Sequence, residues 1–342
     1  MNGSITVIPG DGVGPEVIEQ ALMVIEATGV GLQFAVFDDI NADRYLATGV
    51  AMSQQEFEAV RASDSVLFGA IGDPRVRSTD YARSVLLRMR NELGLYVNLR
   101  PARLADDRLN PLRDAHRRID CLIVRENSEG LYGGIGGLLR SGTGDELAID
   151  TDISTYLGVS RIIDYAFSIA RQKVCMVDKS NAVPHGGTLW QRCWAEACAK
   201  HPDLITSHLY VDAAAMRLVT DPESFEVIVT NNSYGDILSD LAGVLAGGIG
   251  TCGSANLNPL TGFGLYEPVH GSAPDIAGRG VANPIGAILS AAMMLDTLGW
   301  PAEAAAISAA VKRCIANGSV TADLGGSLGT REAGLAVRAG LG

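Results

Sequence analysis

The stretch FEVIVTNNSYGDILSDLAGVLA, from Phe225 to Ala246, decides the fold. Residues 227–229 are a run of β-branched side chains, which predicts a short buried strand. Residues 230–234 are polar and include two asparagines, so we expect a loop there. From Gly235 onward, apolar residues recur at the spacing of a helix. The stretch therefore predicts a strand, a loop and a helix in succession, which is typical of α/β proteins.

The predicted helix carries two carboxylates on one face, because Asp236 and Asp240 lie four residues apart. Two like charges at this spacing repel each other and mildly destabilise an isolated helix. One explanation is a solvated face with an aspartate near the helix start. The other is a bound divalent cation, since Mg²⁺ and Mn²⁺ take oxygen ligands. The pair alone does not decide between these two.

Length and composition predict a globular protein with a large core. The chain has 342 residues, of which 47% are hydrophobic and 19% charged, so we expect one or two folded domains. Its net charge is −12 and its pI is near 4.9, which argues against nucleic acid or an anionic membrane as the main partner. The longest apolar run, 285–295, is too short to span a bilayer.

The six cysteines indicate a reducing compartment. None forms a C-x-x-C pair, and the spacing of Cys193, Cys198 and His201 matches no standard zinc motif. The N-terminus has no basic region followed by an apolar core, so we expect no signal peptide. These features predict a cytoplasmic protein.

Segments with strand and helix patterns alternate along the chain, which predicts an α/β fold. The first strand, 5–8, runs into the glycine-rich turn PGDGVGPE at 9–16, and Pro15 suits the start of a helix. This turn is similar to the dinucleotide-binding fingerprint. The third glycine of that fingerprint would fall on Pro15, so we reject this interpretation.

Three arginines lie at the ends of predicted elements, namely Arg90, Arg100 and Arg125. Arginine is suited to a planar, bidentate grip on carboxylates. Any one of them taken alone would more often form a surface ion pair. Together they favour a site for a di- or tricarboxylic acid.

Further polar residues follow predicted strands. Lys179 comes directly after the strand at 174–177, at the edge where α/β sheets place their sites, although an exposed lysine without a special role is equally expected. Asp212 opens a predicted helix, either as its N-cap or as a third carboxylate for the cation. Residues 265–284 contain six glycines and prolines, so we expect a long functional loop.

Eight motifs occur over nearly the whole chain, in the order PGDGVGPE, LRP, RENSEGLY, DKSN, YVDAAAM, GDILSDL, EPVHGSAPDIAG and DLGG. With these motifs the chain resembles the β-decarboxylating, metal-dependent 2-hydroxyacid dehydrogenases. That family comprises isocitrate, homoisocitrate, 3-isopropylmalate and tartrate/D-malate dehydrogenases. Residues 72–84 depart most from the pattern, because this segment is shorter than in isopropylmalate dehydrogenases.

The resemblance implies a two-domain α/β subunit that does not have a Rossmann fold. Residues 1–95 and 247–342 would form a large domain with the coenzyme loop. Residues 96–246 would form a small domain with the dimer contact and the metal ligands. The active site would lie in the cleft between the domains. Enzymes of this family are homodimers with shared active sites, so Lys179 and Asp212 would serve the site of the partner subunit.

The resemblance also implies the role of each site residue. Mg²⁺ or Mn²⁺ would be bound by Asp236 and Asp240, with Asp212 of the partner subunit. Lys179 would accept the proton of the C2 hydroxyl, and Tyr132 would return a proton to C3. The substrate carboxylates would be bound by Arg90, Arg100 and Arg125. The coenzyme would be bound by Asn181, His270, Gly271, Ser272, Ala273, Asp275, Ile276 and Asn283.

The coenzyme and the substrate depend on a few of these positions. Asp275 and Ile276 would face the adenosine ribose, where a carboxylate repels a 2′-phosphate, so we expect NAD rather than NADP. Ser84, Leu86 and Leu87 would contact the C3 substituent of the small carboxylic acid substrate. The two leucines are similar to those of isopropylmalate and tartrate/D-malate enzymes, and the serine is shared with isocitrate enzymes. We therefore expect a (2R)-malate with a small or apolar C3 substituent, and not isocitrate.

Two alternatives remain open. Arg83 and Arg88 could reach a distal carboxylate, which would favour a homoisocitrate- or isocitrate-type enzyme. A non-catalytic regulatory subunit of a heteromeric dehydrogenase would keep the fold but lose the lysine, the tyrosine or a metal aspartate. Lys179, Tyr132 and the aspartates are all present, which favours the enzyme.

Overall fold

The computed structural model describes residues 3–78, 80–114 and 116–341. The strands are β1 Gly3–Gly10, β2 Leu32–Val36, β3 Ser65–Ala70, β4 Val97–Arg103, β5 Asp120–Glu126, β6 Gly136–Leu139, β7 Leu147–Asp150, β8 Lys173–Asp178, β9 Ile205–Tyr210, β10 Val227–Thr230, β11 Gly253–Asn258 and β12 Phe263–Pro268. The helices are α1 Gly14–Ala27, α2 Ala42–Thr48, α3 Gln54–Ala62, α4 Asp80–Ala82, α5 Arg88–Glu92, α6 Tyr156–Ile169, α7 Pro184–Lys200, α8 Val211–Thr220, α9 Asn232–Leu245, α10 Ile285–Thr297, α11 Pro301–Ala316 and α12 Thr330–Ala339. None of these helices is long and apolar enough to cross a membrane.

A ten-stranded sheet runs through the molecule in the order β2-β1-β3-β12-β11-β4-β5-β10-β8-β9. Both ends of the sheet are parallel, because β1 pairs in parallel with β2 and β3, and β8 does so with β9 and β10. The middle is antiparallel, where β4 lies between β11 and β5. A separate antiparallel hairpin is formed by β6 and β7. This mixed sheet with its helices confirms the predicted α/β class.

The two halves of the sheet come from different parts of the chain. β1, β2, β3, β11 and β12 lie within 1–95 and 247–342, and the other five strands lie within 96–246. The halves meet where β11 pairs with β4. At this junction the buried Asn98 donates from Nδ2 to Asn256 Oδ1 at 3.0 Å. The sheet is continuous across the junction, and the division into two domains stays a prediction.

The strand β10 is buried on both faces, and the helix that follows it, α9, begins at the edge of the sheet where we expect the functional residues. Val227 and Val229 pack in one apolar cluster with α6 and α7, and Ile228 packs in another with α8 and α9. The other half of the sheet packs its own cluster against α1, α10 and α11. Because both faces of β10 are covered, the functional groups near it lie at its carboxyl end, where α9 begins.

The structure corrects the predicted loop at 230–234. Thr230 is the last residue of β10, and α9 begins at Asn232, three residues earlier than expected. The reason is a cap, because the side chain of Asn231 accepts the backbone N–H of Tyr234 at 2.9 Å. Gly235, which we expected to open the helix, lies inside it.

Two further expectations are corrected. Asp212 is not an N-cap, because α8 begins at Val211 and the cap position is occupied by Tyr210, without a capping side-chain hydrogen bond. The predicted loop at 265–284 is also shorter than expected, since its first four residues belong to β12. The β-strand persists there because its residues pair with β11 on one side and β3 on the other.

Candidate active site

Five predicted site residues come together at the carboxyl end of β5 and on the first turns of α9. Arg125 is the next-to-last residue of β5, and Arg100 lies in the neighbouring strand β4. Asp236 and Asp240 lie one turn apart on α9, which follows β10. Tyr132 lies in a short 3₁₀ turn after β5. Because β5 and β10 are parallel neighbours, the segments that follow them begin at the same edge of the sheet.

Arg125 is buried and is held by α9. Its Nη1 donates to Asp236 Oδ1 at 2.5 Å, and its Nε and Nη2 donate to Asn232 Oδ1 at 3.0 and 2.7 Å. A Cβ at Gly235 would lie 2.6 Å from Arg125 Cγ, so only glycine lets α9 approach this closely. Burial, with the nearby charge of Arg100, lowers the pKa of Arg125 to about 10. This arginine therefore aligns the carboxylate of Asp236.

Arg100 joins the two carboxylates of α9. Its Nη1 donates to Ser239 Oγ at 2.8 Å and lies 3.3 Å from Asp240 Oδ1 and 3.5 Å from Asp236 Oδ1. Burial lowers its pKa, which the charge of Asp236 partly offsets. Its buried Nε–H has no hydrogen-bond partner among the described residues. Arg100 thus keeps an unused donor beside the carboxylate pair.

Arg90 lies in a buried ion pair with Glu267. Arg90 Nη2 donates to Glu267 Oε1 at 2.9 Å, and both side chains are about nine-tenths buried. Asn256 Nδ2 donates to the same Glu267 oxygen at 2.8 Å. The Nε–H of Arg90 is buried without a partner in the described part of the chain. Arg90 is therefore fixed by residues of β11 and β12, and its Nε–H remains a free donor.

Tyr132 lies over this cluster. Its hydroxyl donates to Asp236 Oδ2 at 3.3 Å, and its ring centroid is 5.7 Å from the guanidinium carbon of Arg125. Burial and the charge of Asp236 raise the pKa of Tyr132 above the usual range of a tyrosine. The hydroxyl therefore keeps its proton to higher pH than a free tyrosine.

Asp236 and Asp240 fit a divalent cation as far as this chain supplies ligands. Their side chains are 36% and 62% exposed, so an ion can reach them. Burial, with the charge of Asp236, raises the pKa of Asp240, and a cation at the pair would relieve that repulsion. In the ranges that the structure describes, no group of three His, Cys, Asp or Glu residues could hold a metal.

Lys179 and Asp212 form an ion pair of their own. Lys179 Nζ donates to Asp212 Oδ1, and this contact lowers the pKa of Asp212. Lys179 follows β8, and Asp212 lies in the first turn of α8, after the neighbouring strand β9. No hydrogen bond or ion pair among the described residues joins this pair to Asp236 or Asp240. The two pairs thus make no direct polar contact with each other within the described residues.

The predicted coenzyme residues other than Asn181 lie on the loop after β12. His270 Nδ1 is 2.9 Å from the carbonyl oxygen of Gly271, and burial lowers the pKa of this histidine. Ala273 has a φ of 40°, which is uncommon for a residue other than glycine. Asp275 is exposed, and Asn283 is buried with its Nδ2 donating to Asp323 Oδ2 at 2.9 Å. Ser272 and Ile276 are half-buried in the same loop, and Asn181 is exposed after β8.

The glycine-rich turn after β1 supports this loop. The carbonyl of Ser272 accepts the backbone N–H of Val13 at 2.8 Å, and a Cβ at Gly12 would lie 1.9 Å from that carbonyl oxygen. The carboxylate of Glu16, on α1, accepts the backbone N–H groups of Gly278 and Gly280 at 2.5 and 3.2 Å. The turn and the start of α1 therefore support the loop through close packing and hydrogen bonds.

The residues expected to contact the C3 substituent precede Arg90. Arg83–Leu87 is a π-helical turn between α4 and α5, and such turns are frequent at functional sites. Ser84 Oγ donates to the carbonyl of Tyr81 at 2.8 Å. Leu86 packs at the edge of an apolar cluster, and Leu87 is half-buried.

The two remaining arginines of this segment differ. Arg88 Nε donates to Glu92 at 2.8 Å, and its guanidinium carbon lies 4.1 Å from the ring centroid of Phe57, so its contacts are with α3 and α5. Arg83 has no ion pair or hydrogen bond from its side chain in the described residues, and its guanidinium lies against Gly134, two residues after Tyr132. Of the two, only Arg83 is near the predicted site.

Comparisons with known proteins agree over nearly the whole chain. Residues 4–337 match the isocitrate/isopropylmalate dehydrogenase family. The chain belongs to this family. A 3-isopropylmalate dehydrogenase of Leifsonia xyli subsp. xyli is 46% identical over 306 residues, which cover 86% of this chain and 85% of that protein.

Solved structures of the isocitrate/isopropylmalate dehydrogenase family have the same fold. An isocitrate dehydrogenase from Methylococcus capsulatus is 36% identical with a TM-score of 0.91, covering 100% of this chain and 99% of that one. A β-decarboxylating dehydrogenase from Thermococcus kodakarensis, in its apo form, is 39% identical with a TM-score of 0.81, covering 100% of this chain and 96% of that one. The resemblance seen in the motifs is confirmed, and so is the non-Rossmann fold that it implied. The chain is a decarboxylating hydroxyacid dehydrogenase.

Sequence reasoning missed the residues that hold the arginines of the isocitrate/isopropylmalate dehydrogenase site. Glu267 pairs with Arg90, Asn232 with Arg125, and Ser239 with Arg100. Glu267 lies within the motif EPVHGSAPDIAG, and Asn232 and Ser239 lie within the stretch 225–246. All three therefore belong to segments that the sequence had already singled out. No periodicity marks a buried hydrogen-bond partner, because its role depends on a residue far away in sequence.

Proposed function

We propose that the chain catalyses the NAD-dependent oxidative decarboxylation of a (2R)-malate with a small or apolar C3 substituent. The products are a 2-oxoacid and CO₂, and the metal is Mg²⁺ or Mn²⁺. One observation carries this proposal, namely the two carboxylates Asp236 and Asp240 beside the guanidinium groups of Arg100 and Arg125. This arrangement suits a hard cation and a substrate carboxylate at the same place.

The residues of the site would act on the substrate in sequence. Arg90, Arg100 and Arg125 bind its carboxylates and orient its C2 carbon toward the nicotinamide. When bound, the divalent ion supplies Lewis acidity at the C2 oxygen. Lys179 of the partner subunit would accept the C2 hydroxyl proton, and bound NAD⁺ would supply the hydride acceptor. The carboxylate on C3 then leaves as CO₂, and Tyr132 returns a proton to C3.

The choice of NAD rests on the loop after β12. Asp275 is exposed there, at the position proposed to face the adenosine ribose. A carboxylate accepts hydrogen bonds from ribose hydroxyls and repels a 2′-phosphate. The protein carries a net charge of −12, which disfavours a further anionic group on the coenzyme.

The proposed homodimer is supported by exposed apolar side chains near the site. Met216 and Val219 on α8 and Ile237 and Val244 on α9 are 42–63% exposed. The hairpin β6–β7 exposes further apolar side chains, at Leu138, Leu139, Leu147 and Ile149. Such patches are typical of protein interfaces, and a two-fold dimer would cover them. A copy packed on α8 and α9 would bring Asp212 close to the metal pair of its partner.

The proposed cytoplasmic location is supported by the six cysteines, which are all free thiols, at Cys121, Cys175, Cys193, Cys198, Cys252 and Cys314. Disulfides persist in oxidising compartments, and free thiols suit a reducing one.

The substrate is tested by a panel of acids assayed for NADH formation with Mn²⁺. The acids are D-malate, tartrate, 3-isopropylmalate, homoisocitrate and isocitrate. We expect the highest kcat/KM with 3-isopropylmalate, D-malate or tartrate, and graded activity on neighbouring malates, since a methylene is worth about 1–3 kcal/mol in such a site. Isocitrate with the highest kcat/KM would overturn the assignment of Leu86.

A second candidate is an enzyme for malates with an acidic C3 substituent. The observation that favours it is Arg83, whose guanidinium has no ion pair in the described residues and lies beside the segment of Tyr132. An Arg83→Ala variant separates the two candidates in the same panel. If the distal group is acidic, this change lowers kcat/KM for homoisocitrate or isocitrate far more than for 3-isopropylmalate.

A further inference from the structure

A buried carboxylate lies directly before Lys179. Asp178 is the last residue of β8, and its side chain is 5% exposed. Its Oδ1 accepts from His208 Nε2 at 2.8 Å and from the backbone N–H and hydroxyl of Ser180 at 3.2 Å. Its Oδ2 accepts from Gln191 Nε2 at 2.8 Å. No lysine or arginine forms an ion pair with Asp178 in the described residues. The charge of Asp178 is therefore held by these donors.

These donors come from three elements that surround the residue after β8. His208 lies on β9, Gln191 on α7, and Ser180 in the loop between β8 and α7. A Cβ at Gly187 would lie 2.4 Å from Ser180 Cα, so α7 packs directly on the backbone that follows Lys179. The main chain at Lys179 is thus fixed from the strand, the helix and the loop together.

The residues around Asp178 also reach the side chain of Lys179. Its ammonium is paired with Asp212 and lies 5.6 Å from the ring centroid of Tyr210. The ring of Tyr210 meets the ring of His208 edge-on, with centroids 5.2 Å apart. His208 therefore contacts both the carboxylate before Lys179 and the aromatic ring beside its ammonium.

We propose that Asp178, His208 and Gln191 form a positioning network that sets the place of Lys179 in the partner subunit's active site. This inference rests on the proposed function, in which Lys179 accepts a proton across the dimer interface. Lysine has a long flexible stem, and a proton acceptor must come within about 3 Å of the proton that it takes. None of the three network residues is among those proposed to bind the substrate, so their effect would pass through Lys179.

The first test compares His208→Leu with His208→Gln. Leucine removes the hydrogen bond to Asp178, whereas glutamine keeps a nitrogen donor at a similar reach. We expect His208→Leu to lower kcat roughly tenfold to a hundredfold, because misplaced groups slow the reaction to that degree. The KM values for substrate and NAD should stay within about twofold, since His208 is not among the residues proposed to bind either ligand. His208→Gln should retain most of the wild-type kcat. His116→Leu, at an exposed histidine, is the control.

The second test uses mixed dimers. In a hybrid of His208→Leu and Asp236→Asn subunits, one site combines an intact Asp236 with a Lys179 from a subunit whose network is intact. We expect such hybrids to regain activity, to about a quarter of the wild-type rate in a random mixture. A general structural defect from His208→Leu would not be repaired in this way. Mixing Lys179→Ala with Asp236→Asn subunits tests the shared site itself.

The outcomes separate the two proposals. If Lys179→Ala and Asp236→Asn subunits restore activity together but the His208→Leu hybrid does not, the network is refuted and the shared site stands. If neither mixture recovers after verified subunit exchange, the shared site is refuted and the network with it. A His208→Leu variant with wild-type kcat would also refute the network. A raised KM with unchanged kcat would do so as well.

Discussion

Replacing Gly12 by alanine should displace the loop that we propose for the coenzyme. Gly12 has a φ of +60°, and a Cβ there would lie 1.9 Å from the carbonyl oxygen of Ser272. The same carbonyl accepts the backbone N–H of Val13 at 2.8 Å, so the two segments are in direct contact. Ordinary van der Waals contact begins near 3.4 Å, and the loop must therefore retreat by roughly 1.5 Å.

The chain offers a matched control in Gly29. This glycine has a φ of +77°, and nothing lies within 4 Å of the position that its Cβ would take. In both Gly12→Ala and Gly29→Ala, the left-handed backbone costs about 1–2 kcal/mol of stability. The difference between the variants therefore measures the contact with Ser272 alone. A displacement of about 1 Å in a positioning segment can cost on the order of a hundredfold in rate.

The assay is NADH formation at saturating substrate with NAD varied, together with thermal unfolding with and without NAD. We expect Gly12→Ala to lower kcat/KM for NAD roughly tenfold to a hundredfold. It should also lose most of the stabilisation that bound NAD gives the wild type. Gly29→Ala should keep both. Equal kcat/KM values for NAD in the two variants would refute the proposed role of this loop in binding the coenzyme.

The other predictions concern the metal, the coenzyme and the buried arginine. Asp240→Asn should abolish stimulation by Mn²⁺. After removal of metal by a chelator, Asp240→Asn should unfold at no lower temperature than wild type at neutral pH. The reason is that the pKa of Asp240 is raised, so its contribution to stability is present at low pH and is lost as the pH rises through that pKa. Earlier unfolding would contradict this. Asp275→Ser should raise kcat/KM for NADP relative to NAD, and an unchanged ratio would count against the assigned position. Arg125→Lys should lower the free energy of unfolding by about 2 kcal/mol, since it loses hydrogen bonds to Asn232. Arg103→Lys, at an exposed ion pair, is the control and should change the free energy of unfolding by less than about 1 kcal/mol. Equal losses in the two variants would contradict the geometry of Arg125.

The α/β class could be predicted from local patterns, because the strand that leads into α9, β10, is buried on both faces. The residues at 227–229 alternate between two apolar clusters, which makes a continuous β-branched run a dependable mark of a strand. The start of α9 was predicted three residues late. Asn231 and Asn232 were predicted to lie in a loop. In the structure Asn231 caps the helix, and Asn232 accepts hydrogen bonds from Arg125.

The site could be predicted only as far as its charged residues follow strand ends. Arg125, Asp236 and Tyr132 lie within hydrogen-bonding or ring contact of one another. The partner of Arg90 could not be predicted, because Glu267 is 177 residues away and is placed by the pairing of β11 with β12. The direction of the Arg88 side chain could not be predicted either, because it depends on a contact with Phe57 on another helix.

The most direct test of the account measures NADH and CO₂ formed from the best acid of the panel, before and after removal of divalent metal. We expect one CO₂ for each NADH, no activity in excess EDTA, and recovery when Mn²⁺ is restored. Asp236→Asn should remain inactive after Mn²⁺ is added, because this carboxylate lies at the centre of the arginine cluster. Full activity after exhaustive chelation, or NADH formed without CO₂, would contradict the metal-dependent oxidative decarboxylation proposed for this site.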